Sequence, residues 1–96
     1  MSLKIIFTDD ATKMLLSIAD LIEDKWGLKH SEKFLQKTYK ILDLLTENPY
    51  MFKASLIEEN IRIGIITKQT SFFYEVQESE IMILFFWDNR QDPLFT

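Results

Sequence analysis

Four side chains in the second half of the chain have the chemistry to act on an anion: Arg62, Lys68, Tyr74 and Arg90. Counted along an extended backbone, positions 62, 64, 66 and 68 share one side, so Arg62 and Lys68 stand on one strand face with Gly64 between them. Two cations beside a residue without a side chain suit a strip that holds an anion, and a plain solvated face reads equally well. Arg90 lies in Asp88-Asn89-Arg90-Gln91-Asp92-Pro93, directly after the apolar run Ile81-Met82-Ile83-Leu84-Phe85-Phe86-Trp87. Asp and Asn form turns and Pro93 stops a strand. The hexapeptide is therefore either a binding site, with Trp87, Asp88, Arg90 and Asp92 as its contacts, or a strand end where Arg90 pairs with Asp88 or Asp92.

Other chemistry is thin. Gly27 and Gly64 cannot build a phosphate loop or a dinucleotide fingerprint. One histidine and no cysteine leave no metal cluster and no disulfide, and nothing implies a cofactor. His30 reads as an exposed residue of a turn. Lys29, Lys33 and Lys37 recur every fourth residue, with Lys40 close by, and form one side of a helix. Such a ridge can grip a nucleic-acid backbone, but it reads first as the solvated face of an amphipathic helix. Phe72, Phe73 and Tyr74 read as core rather than as a base-stacking platform.

These residues need elements to position them. Leu3, Ile5 and Phe7 alternate as a short strand, and Thr8-Asp9-Asp10 offers a helix cap. Leu15, Ile18, Ala19, Ile22 and Trp26 form a helical stripe that Gly27 ends, giving a helix over 10–26. Ser31 can cap a second helix with the stripe Phe34, Thr38, Ile41, Leu42 and Leu45, which Asn48-Pro49 terminates. With only residues 27–30 between them, the two helices must fold back on each other. Residues 50–57 connect loosely to a strand with Ile61, Ile63 and Ile65 on one side. A third strand runs from Ser71 to Val76, and the run 81–87 is the fourth. Its unbroken apolar character predicts a central strand covered on both faces. The fold class is α+β, ordered β-α-α-β-β-β, as one domain over 1–96 with a helical hairpin on an antiparallel sheet.

Bulk composition narrows the functions. Apolar residues make up 47% of the chain and aromatics 14%, enough for a core without staples. Net charge is −4, and residues 54–96 carry the whole excess, seven acidic groups against three basic ones. That disfavours a surface built to hold phosphates, and with it direct nucleic-acid binding. Met1-Ser2-Leu3-Lys4 lacks the apolar core of a signal peptide, and no run is long enough to span a membrane, so a cytoplasmic address is expected.

The order and spacing of Trp26-Gly27, Phe34, Asn48-Pro49, Ile61-Arg62, Phe73-Tyr74-Glu75-Val76 and Trp87 to Pro93 resemble the RelE/ParE toxins of bacterial toxin–antitoxin modules. The resemblance covers nearly the whole chain and implies an antitoxin partner with a flexible segment that lies across the toxin. RelE-like members are ribosome-dependent mRNA endonucleases with basic residues on the central strands and an Arg, Tyr or His near the C-terminus. ParE-like members lack that set and are associated with poisoning DNA gyrase by binding. On the matching positions this chain keeps Arg62 as the strand-2 cation, but Gly64 stands where a second often lies. Ser71, not Arg, precedes Tyr74. Arg90 follows strand 4, and Leu94-Phe95-Thr96 brings no Tyr or His. Loss of one cation beside a developing oxyanion removes about 3 kcal/mol of transition-state stabilisation, so the resemblance implies the ParE-like side. The rivals are an endonuclease working through Arg62, Lys68, Tyr74 and Arg90, and a degenerate toxin that only binds antitoxin.

Overall fold

A computed structural model describes residues 2–56 and 58–90. The chain runs β1 (Lys4–Phe7), α1 (Asp9–Trp26), α2 (Leu28–Glu47), β2 (Ile61–Ile65), β3 (Thr70–Val76) and β4 (Glu80–Asp88). This is the order the sequence predicts. The four strands make one sheet in the order β1-β4-β3-β2. β2, β3 and β4 are antiparallel neighbours, whereas β1 joins β4 as a parallel edge strand.

Thr8 starts α1. Its hydroxyl oxygen accepts from the Ala11 amide at 3.0 Å while its O–H donates to the Leu84 carbonyl at 2.6 Å. One side chain thus caps a helix and ties it to the central strand. The buried face of α1 is Ala11, Leu15, Ile18, Ala19 and Ile22, and that of α2 is Ser31, Phe34, Thr38, Leu42 and Leu45. The expected four-residue link between the helices is in fact one residue. Gly27, at φ 95°, ends α1 and begins α2, a backbone angle that costs other residues steric strain. Ser31 is therefore not a cap but lies inside α2, where its hydroxyl donates to the Ala19 carbonyl at 2.9 Å and clamps the hairpin. His30, expected in the turn, is an exposed residue of the first turns of α2.

β4 is central, as expected, but the helices cover only one of its faces. Ile81, Ile83, Phe86 and Asp88 are buried against them. The switch from odd to even numbering reflects a β-bulge: Phe73 pairs with Phe85 and Tyr74 with Ile83, which leaves Leu84 as an extra residue. An apolar run of seven is thus an alternating strand with one residue inserted. Its other residues, Met82, Leu84, Phe85 and Trp87, are half-buried on the open face, where no described helix packs.

The strand face 62, 64, 66 is likewise not solvated. Gly64 and Ile66 are buried, and a Cβ on Gly64 would stand 2.1 to 2.8 Å from three atoms of the Phe72 ring. The segment before β2 crosses its outer edge, with Ala54 bridged to Arg62 and Ile63 donating to the Lys53 carbonyl at 3.2 Å.

Candidate functional site

The sequence candidates separate into two clusters at opposite ends of the sheet. The first is the end of β4. Asp88, 2% exposed, accepts from the Thr70 hydroxyl at 2.5 Å, from the Arg90 amide at 2.8 Å and from Arg90 Nε at 2.9 Å, while Arg90 Nη2 forks onto its second oxygen. Burial pushes the Asp88 carboxyl up, but the bonds from Arg90 and Thr70 outweigh it and hold the group below the usual carboxylate range. Arg90 therefore pairs with Asp88, and its guanidinium has a fixed position. Asp92 and the rest of the chain end fall outside the described residues.

That guanidinium sits 5.6 Å from the ring centre of Trp26 at the end of α1. Trp26 was expected in the core stripe of helix 1, yet it is 49% exposed, because the stripe has reached the rim of the sheet. Beside it opens a groove of about 570 Å³ with Ile22, Trp26 and Phe34 as its apolar floor. Lys33, Lys37 and His30 of α2 stand on one wall, and Thr67, Gln69 and Arg90 on the other, with no carboxylate among them. Half of the lysine ridge read as a solvated helix face thus borders a concave site. The signal was present: Lys33 and Lys37 flank the core residue Phe34 at helical spacing, so they rim whatever Phe34 floors. Lys68 is exposed in the turn between β2 and β3 and is not part of the groove lining.

The second cluster holds Arg62 and Tyr74, which are cross-strand partners. Arg62 Nη1 donates to the Phe52 carbonyl at 2.6 Å, and its guanidinium lies 4.7 Å from the Tyr50 ring centre. The Tyr74 hydroxyl donates to the Pro49 carbonyl at 2.9 Å. Tyr74 is fully buried, and burial raises its pKa against the opposing pulls of the Phe52 backbone and the Arg62 charge. Both side chains hold the connector before β2 against the sheet. A small cavity beside Arg62 includes Glu59 and Glu75, so its electrostatics are mixed. Tyr74 and Thr70 are four residues apart on β3, about 13 Å along the strand, and Arg90 lies beyond the Thr70–Asp88 pair. Arg62, Tyr74 and Arg90 do not converge on one substrate-sized site.

The open face of the sheet was not singled out by sequence. By alternation Ile61, Ile63 and Ile65 project there from β2, Ser71, Phe73 and Glu75 from β3, and Glu80, Met82, Leu84, Phe85 and Trp87 from β4. Phe73 and Phe85 stack at 4.4 Å, and Ile65 is 56% exposed. No cation projects from these three strands on this face. The Trp87 indole N–H is buried there without a hydrogen-bond partner among the described residues. Nor do the described residues hold a cluster of three or more potential metal ligands, or a helix long and apolar enough to cross a membrane.

Two helices folded back on one face of a four-stranded sheet, in the order β-α-α-β-β-β, match the fold of solved toxin–antitoxin structures. A chain described as "Chromosomal ParDE TA system from P. aeruginosa" superimposes with a TM-score of 0.77 at 20% identity, over 91% of this chain and 96% of that one. A chain of the "E. coli DinJ-YafQ toxin-antitoxin complex" gives 0.65 at 12% identity over the full length of both. No curated protein sequence matches. The family model described as "ParE toxin of type II toxin-antitoxin system, parDE" matches residues 5–93, and the chain belongs to that family.

Proposed function

We propose that this toxin inhibits its cellular target by binding it, with DNA gyrase as the first target to test, and that a cognate antitoxin neutralises it. The observation that carries the reading is the composition of the open sheet face. Where RNA cleavage would need convergent cations and a proton carrier, β2, β3 and β4 present Ile, Phe, Met, Leu and Trp with one serine and two glutamates. Arg62 and Tyr74 point the other way and are used up in holding the 49–54 connector. An apolar face of this kind suits a protein surface, and both structural relatives come from toxin–antitoxin systems.

The test is a pair of assays on the purified toxin. Gyrase supercoiling should stall on its addition and recover when the product of the adjacent reading frame is added. Translation in vitro, followed by primer extension, should show no new mRNA ends. Codon-positioned cleavage that disappears in Arg62→Ala would overturn the reading and restore the endonuclease. Absence of growth arrest on induction without the partner would instead favour a chain that retains antitoxin binding alone.

A further inference from the structure

We propose that the open face of the sheet is a homodimer interface, where two copies of this chain pack sheet on sheet about a two-fold axis that crosses the strands at Phe73. The inference stands whichever cellular target the toxin has.

Strand register arranges the open face in three rows. Ile65, Ser71 and Trp87 form the first, Ile63, Phe73 and Phe85 the second, and Ile61, Glu75 and Met82 the third. Only Ser71 and Glu75 break its apolar character, and both belong to β3, two residues to either side of Phe73. An open apolar face of this extent marks an interaction surface, and no described helix covers it. The lone carboxylate decides what can. Glu75 accepts one bond, from Gln77 Nε2 at 3.0 Å, and beneath a plain apolar partner it would lose its water without replacement.

A second copy avoids that cost. Let the axis lie between two facing sheets, perpendicular to the strands and over the middle row. The rotation exchanges the first and third rows and sets each strand antiparallel over its own copy. Ser71 then stands opposite the partner's Glu75, and its hydroxyl can donate to that carboxylate. Symmetry makes the bond twice. Ile65 meets the partner's Ile61, and Trp87 meets the partner's Met82. Phe73 and Phe85, stacked at 4.4 Å, meet their own copies on the axis. The ends of the face exchange too, which brings Lys68 of the β2–β3 turn to the end that carries Glu78 of the β3–β4 turn. A face that reads alike in both directions, save for a Ser and a Glu that complement each other, suits an isologous contact. A target or antitoxin surface requires no such symmetry.

Size sets the strength. Packed sheets lie about 10 Å apart with strands about 30° from aligned, so opposition is closest at Phe73 and loosens toward the rims. Three strands about 4.8 Å apart and about 17 Å long present, with side-chain relief, about 500 Å² per copy. A total of about 1,000 Å² is the low end of specific interfaces, which places half-association at micromolar concentration. Below it the face is open to other partners.

Sedimentation equilibrium of the purified toxin over about 0.5–200 µM tests the pairing. The wild type should pass from 11.4 kDa to twice that mass, with a dissociation constant of about 1–50 µM. Ser71→Glu sets two carboxylates against each other at each contact and should weaken association at least about 30-fold. The swap S71E/E75S puts Ser opposite Glu again and should return it to within about threefold of wild type. The two positions lie about 13 Å apart along one strand, so no contact within a copy accounts for that rescue. A second readout does not depend on how well either variant folds. The chain has no cysteine, and I61C mixed with I65C in a glutathione redox buffer should form 61–65 disulfide dimers faster than either alone. A wild type that stays at 11.4 kDa throughout would overturn the proposal. So would a dimer that the swap fails to restore, or cross-links that join 61 to 61 as readily as 61 to 65.

Discussion

Gly64→Ala tests the geometry that separates this protein from the endonuclease pattern. The added Cβ would stand 2.1, 2.3 and 2.8 Å from three carbons of the Phe72 ring. Phe72 cannot step aside, being fully buried between Phe52, Tyr74 and Phe86, whose ring centres lie 5.9, 5.5 and 5.9 Å away. Overpacking of this kind costs about 1–3 kcal/mol, and contacts this short put it at the upper end. Against that, Ala in a strand regains about 0.5–1 kcal/mol of the entropy that Gly loses, and Gly64 is not at positive φ. The net expectation is a loss of about 2 kcal/mol, a fall in Tm of about 8–16 °C for a chain of this size. Calorimetry and urea unfolding should agree on it. Phe72→Leu should relieve part of the cost, so the double mutant G64A/F72L should show a favourable coupling of about 1 kcal/mol or more. A neutral or stabilising G64A would refute the argument. Position 64 would then be open, and the site where related endonucleases often carry a second cation would be available after all.

Asp88→Asn should lose about 2 kcal/mol near neutral pH, below the full cost of breaking a buried pair because the Arg90 side chain is 20% exposed. Asp88 is depressed in the folded state, so its contribution is complete above the unfolded carboxyl value of about 3.9 and is lost as pH falls through the folded value. The gap between wild type and D88N, followed by urea unfolding, should therefore narrow below about pH 4; a gap independent of pH would deny the ion pair its role. Tyr74→Phe removes the bond to Pro49 and should cost about 1 kcal/mol while speeding amide exchange across 49–54. Unchanged exchange there would show that the connector does not depend on it. Ile65→Lys, at an exposed position of the open face, should lower apolar-dye binding by the free toxin with little change in Tm, and equal dye binding would place the accessible apolar surface elsewhere.

Much of this architecture was legible in one dimension because helix and strand periods are local. The stripes of α1 and α2, the cap at Thr8, the turn at Gly27 and three alternating strands each follow from spacing alone. The Arg90–Asp88 pair, two residues apart at a strand end, was also within reach, since it spans one turn. Facing was not. A strand pattern says which residues share a side but not which side the helices cover, so Arg62 and Gly64 read as an anion-binding or exposed strip when Gly64 is buried and Arg62 is half-buried under the connector. The bulge at Leu84 misled for a similar reason: one inserted residue makes an alternating strand look apolar on both faces. Ser31 was assigned by its type as a cap, while its hydroxyl has a stronger use against Ala19 across the hairpin.

The chain itself determines, through periodicity and turn chemistry, that two helices and four strands form in this order. Only the tertiary structure decides where they leave charge. Packing the hairpin on one face brings Trp26, Lys33 and Lys37 alongside Arg90, more than fifty positions further along the chain, and leaves the opposite face largely apolar. No local rule contains that juxtaposition, because it arises from burying the Phe34 stripe against the sheet, and burial has no direction along the chain.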